Sequence, residues 1–113
     1  MDELTKSQKK ALRELAHRAY AEALRRALLP VGEAVEAWKA GTISSFELSD
    51  RIHTFHQGPS RKLWSFYTAL DPRTIVVDAV AQGILDIAAV PDDLRAEIGQ
   101  QAAFLRVTLR EQS

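Results

Sequence analysis

The chain has 113 residues, of which 46% are hydrophobic and 27% charged, and its fifteen basic side chains balance fifteen acidic ones. This suits a single folded domain over residues 1–113 and is too apolar for a disordered chain. The absence of cysteine excludes disulfides, thiolate nucleophiles and cysteine-ligated zinc or iron–sulfur sites, and the zero net charge lacks the field of a dedicated nucleic-acid binder.

Residues 6–29 open the chain with its strongest pattern. Leu12, Leu15, Ala16, Ala19, Ala23 and Ala27 recur at steps of three and four and share one face of an α-helix. On the opposite face Lys10, Glu14, Arg18, Glu22 and Arg26 alternate in sign at steps of four, a solvated stripe of ion pairs. Thr5 and Gln8 have the spacing of a capping box at its start. Pro30 lacks an amide hydrogen and crowds the preceding turn, yet the stripe resumes through Val31, Ala34, Val35 and Trp38. One long helix to about Lys39, bent at Pro30, is therefore expected, with two helices meeting at a tight joint as the alternative, and Gly41 ending the segment.

Ser44 and Glu47 read as a second capping box, opening a helix with Leu48, Ile52 and Phe55 inward, and Gly58–Pro59 as its stop. Ser60 then caps a helix facing inward through Leu63, Phe66, Tyr67 and Leu70, and Asp71–Pro72 opens another. IVVDAVAQGIL, residues 75–85, is apolar nearly all round. It is the expected central helix, although its β-branched residues also suit a buried strand. Pro91, Asp92 and Asp93 suit a last helix N-terminus, followed by the stripe Leu94, Ile98, Ala102, Leu105 and Leu109. The expected fold is all-α, an antiparallel or orthogonal bundle of about five helices. No apolar run reaches about 18 residues and MDELTKSQKK lacks signal-peptide order, which points to the cytoplasm and away from a membrane.

Several patterns offer chemistry. Asp50, His53 and His56 lie at helical steps of three, a spacing that metal ligands use. A histidine at a helix C-terminus, however, is also accounted for by the helix dipole, and His53 falls beside Phe46 while His56 borders the Leu48, Ile52 and Phe55 stripe. Glu14-x-x-His17 and Asp50-x-x-His53 share the form of di-metal carboxylate bundles, but Glu14 belongs to the charged stripe and not to the core face. Arg51 and His56 fit the Arg-x4–6-His spacing of the HEPN superfamily of helical ribonucleases. With ten arginines and three histidines in the chain, on the order of one such match arises by chance. Ile52 also stands where that superfamily usually has a polar residue. The EF-hand-like run EAWKAGTISSFE puts Trp38 and Ala40 where calcium needs oxygen ligands. Lys6, Lys9, Lys10 and Arg13, with Arg61 and Lys62, form a basic set without a phosphate loop or aromatic platform, so a nucleic-acid partner is disfavoured.

The alanine face of the first helix is suited to close helix packing, and Phe46, Trp64, Phe104 and Val107 fall off their helices' main stripes. These leftovers point to a non-catalytic interaction or accessory module without a cofactor, self-associating as a homodimer or binding another protein. The alternative is a HEPN-like ribonuclease or metal-dependent helical enzyme using Asp50, Arg51, His53 and His56.

Overall fold

The computed structural model describes residues 3–111. It is all-α, with no strand among the described residues. Helix α1 spans Lys6–Lys39, α2 Ser45–Phe55, α3 Arg61–Ala69, α4 Pro72–Ala81 and α5 Asp92–Glu111; a π-turn over His56–Ser60 joins α2 to α3, and a 3₁₀ turn spans Ile87–Ala89.

The anticipated caps at Thr5, Ser44 and Asp71 form. The Thr5 amide donates to Gln8 Oε1 at 2.8 Å and the Gln8 amide returns to Thr5 Oγ1 at 3.0 Å, satisfying two of the donors that a helix start leaves unpaired. Ser44 Oγ accepts from the Glu47 amide at 3.0 Å, and Asp71 accepts from the backbone and hydroxyl of Thr74 while Pro72 occupies the first turn. Helix α1 runs without interruption through Pro30 and ends at Gly41, whose φ is +80°. There the Thr42 amide reaches back to the Ala37 carbonyl at 2.9 Å and that of Gly41 to Trp38 at 3.0 Å, the paired bonds of a Schellman ending.

Two boundaries differ from the sequence expectation. Gly58 and Pro59 do not stop the second helix, and Ser60 is not a cap. The backbone stays helical from Ser45 to Ala69 through the π-turn. Proline cannot donate to the carbonyl four residues back, and widening one turn accommodates that loss without ending the helix. The five expected helices are thereby four continuous ones. The central helix ends at Ala81, not near Leu85, because Gly83 takes φ +76° and the Ile84 amide folds back onto the Ala79 carbonyl at 2.8 Å. The strand alternative for this segment is not adopted.

The chain falls into two compact units. One comprises the N-terminal part of the chain to Tyr20 together with Leu70 onward; the other is Ala21–Ala69. The first holds most of the buried apolar side chains: Leu12, Leu15, Ala16 and Ala19 from α1, Ile75, Val76, Ala79 and Val80 from α4, Leu85 and Val90 from the connector, and Leu94, Ile98 and Ala102 from α5. Each larger side chain among these contributes about 1.5–3 kcal/mol by leaving water. Polar contacts tie the same elements: Gln8 Nε2 donates to Asp93 at 2.6 Å, Arg73 pairs with Glu97, and the Arg106 guanidinium donates to the Ala81 and Val80 carbonyls at 3.2 Å each. Asp78 is half-buried on α4, and burial pushes its carboxyl above the ordinary value, partly offset by a hydrogen bond with the Gln82 side chain.

Candidate functional site

The second unit is a hairpin in which α2, the π-turn and α3 fold back along the C-terminal part of α1. The joint is held by the Trp38 indole N–H, which donates to Ser45 Oγ at 2.9 Å. Its buried hydrophobic residues are Ala23, Ala34 and Leu48, so Leu48 is the one large apolar side chain of the unit that is buried. Leu63, Phe66 and Tyr67 are half-buried, with Phe66 edge-on to Tyr67 at 5.0 Å. Leu28, Leu29, Trp38, Phe46, Ile52 and Trp64 are exposed, Phe46 at 86% and Trp64 at 61%. Ile52 and Leu70, expected inward, are exposed as well. A hairpin has only one seam, and the residues flanking it stay wet.

A cavity of about 340 Å³ opens in this unit between α1 and the α2–π-turn segment. Its apolar wall is Ala27, Pro30, Val31, Phe55 and Pro59; Glu47, Asp50, Arg51 and Thr54 border it. Pro30 of α1 and Pro59 of the π-turn both line it, each with a compact ring. The rim is largely self-neutralised, because Arg51 is paired with Glu47 one turn earlier.

Asp50 and Arg51 thus border one cavity, while His53 and His56 lie outside its lining and are exposed. His56 occupies the first position of the π-turn, where its backbone N–H caps α2 on the carbonyls of Ile52 and His53. Glu14 and His17 are exposed on α1. Among the described residues no group of three His, Asp or Glu side chains stands close enough to hold a metal ion. Phe104 and Val107 are exposed at 76% and 51% on α5 and belong to the first unit, whereas Phe46 and Trp64 belong to the second. Lys9 shares a polar cleft with Arg73 and with the carboxylates of Glu3, Asp93 and Glu97, which offsets the positive field at that end of α1. No described helix is long and apolar enough to cross a membrane.

Sequence reasoning overlooked the outward face of α1. Leu28 and Leu29 are 42% and 51% exposed and line a broad shallow depression with Arg25, Gly32, Glu33 and Glu36. The signal was present: these leucines sit one and two positions beyond Ala27, the last of the alanine stripe. Just before them Glu22 accepts from Arg25 at 3.0 Å and from Arg26 at 2.8 Å, and these two guanidinium groups hold its carboxyl down to about 2. Of the alternating stripe foreseen on α1, Glu22–Arg26 is the pair that closes within ion-pair distance.

No protein-family model matches the chain, and searches of curated proteins and of solved structures return no significant match.

Proposed function

We propose that this chain is a non-catalytic protein-interaction module whose contact surface is carried by the Ala21–Ala69 hairpin. The observation that carries this reading is the imbalance in that unit, where six large apolar side chains are exposed against one, Leu48, that is buried. So many large apolar side chains left exposed in so small a unit favour a binding role, and aromatic side chains such as Phe46 and Trp64 are the residue types that anchor protein interfaces. The histidine-centred chemistry draws no comparable support. Arg51 is committed to Glu47, and the two imidazoles sit outside the cavity that Asp50 and Arg51 border.

The test is a photo-crosslinking side chain placed at position 46 or 64 in the full chain in cells, with position 17 on α1 as control. Discrete crosslinked protein species are expected from positions 46 and 64 and not from 17. The absence of crosslinks at both positions, together with loss of cellular function in the His53→Ala/His56→Ala variant, would overturn the reading.

A further inference from the structure

We infer that a second copy of this chain docks on the outward face of α1, pairing the two helices antiparallel about a twofold axis near Pro30–Val31. The inference rests on the interaction reading and names its partner.

Three observations converge on that face. First, Gly32 stands inside a 34-residue helix, two turns before its end, where glycine is disfavoured relative to alanine. A Cβ placed there would meet nothing within 4 Å. Nothing within the chain therefore requires the missing side chain, and close approach of another surface would explain it. Second, Leu28 and Leu29 project beside that gap, and the three residues share one depression. Third, the charges bordering the depression are separated by sign, with Arg25 at its N-terminal end and Glu33 and Glu36 at its C-terminal end.

A twofold contact brings each residue opposite its mirror position along the helix. An axis midway between residues 30 and 31 places Leu29 over Gly32 of the second copy and Arg25 opposite its Glu36, and symmetry makes each contact twice. Positions 25 and 36 are eleven residues apart, three turns of helix, so they share nearly the same side of α1. A surface with one sign of charge at each end is complementary to its own rotated copy and to few others, which selects a second copy over an unrelated partner. A contact limited to one face of one helix lies at the small end of stable interfaces, so micromolar dissociation is expected.

The experiment is sedimentation of the purified full chain from about 1 to 500 µM, a range that brackets that affinity. Wild type is expected to pass from monomer to dimer. Arg25→Glu and Glu36→Arg are each expected to weaken dimerisation about tenfold or more, and the double variant to recover it. Arg25 also bonds Glu22, and Glu36 pairs with Lys39 at 3.6 Å. The exchange creates repulsion within each helix that persists in the double variant, so recovery would report the contact between copies. Gly32→Leu, which has open space in the monomer and raises helix propensity, is expected to keep the helical circular dichroism while abolishing the dimer. A wild-type monomer throughout, or a dimer indifferent to Gly32→Leu and unrescued in the double variant, overturns the inference. If crosslinks still form at positions 46 and 64 in that case, the interaction reading stands and only its partner and face are wrong.

Discussion

Arg106 is the most informative single side chain for the stability of the α4–α5 unit. Its Nε donates to the Ala81 carbonyl and its Nη2 to that of Val80, each at 3.2 Å and partly shielded from water, so one guanidinium supplies donors for the last carbonyls of α4. Hydrogen bonds from a charged donor contribute about 1.5–3 kcal/mol, and a cation at a helix C-terminus adds about 0.3–1 kcal/mol. The long separations place these bonds at the weak end, and ordering a long side chain offsets up to about 2 kcal/mol. Arg106→Ala is therefore expected to cost about 1–2 kcal/mol, which for a domain near this size lowers the thermal midpoint by about 4–10 °C. Arg106→Lys keeps the charge but loses the fork that bridges two carbonyls, so about half the loss should remain. Thermal unfolding followed by circular dichroism gives the midpoint. Amide exchange at Gly83 and Ile84, whose N–H groups bond to Val80 and Ala79, shows whether the loosening is local to the end of α4. An Arg106→Ala protein with an unchanged midpoint and unchanged exchange at those amides would refute the capping argument, as would a lysine variant equal to wild type.

Ile98 is fully buried on α5, so Ile98→Ala should cost about 2–5 kcal/mol in urea unfolding; a loss below that range would mean the core there collapses around the cavity. Gly83 holds φ +76°, and Gly83→Ala should destabilise by about 1–2 kcal/mol because a side chain crowds the backbone in that conformation, measured by the same titration. The raised carboxyl of Asp78 has a definite sign. Above both its folded and unfolded pKa values the buried charge is a net cost, and lowering the pH through the raised folded value removes that cost. Asp78→Asn is accordingly expected to raise the midpoint at neutral pH, with the gain shrinking as the solution is acidified; a gain independent of pH would point to packing instead. Glu22 behaves in the opposite way, adding stability above about 4.5 that disappears as the pH falls toward about 2.

The sequence by itself determined the helical class and the caps at Thr5, Ser44 and Asp71, while the structure decided that the first helix continues through Pro30. Thr5 with Gln8, Ser44, and Asp71 before Pro72 act over three or four residues, and their geometry is complete once the local turn forms. The same holds for part of the core of the first unit, where Leu12, Leu94 and Ile98 are buried at positions their periodicity marks and Ile75 and Val76 within the segment that is apolar nearly all round. Only the tertiary structure decided what Gly58–Pro59 does, because proline's missing donor is compatible with either a break or a widened turn, and the choice depends on what the flanking helices pack against. It alone decided which apolar stripes stay wet: Ile52 and Leu70 carry inward spacing yet remain exposed, while Leu28, Leu29 and Gly32 shape an outer face. Periodicity says that a helix has an apolar side, but burial needs a second surface opposite it, and the capping of α4 by Arg106 needs a side chain twenty-five residues away. Those pairings are long-range contacts, and no local rule encodes them.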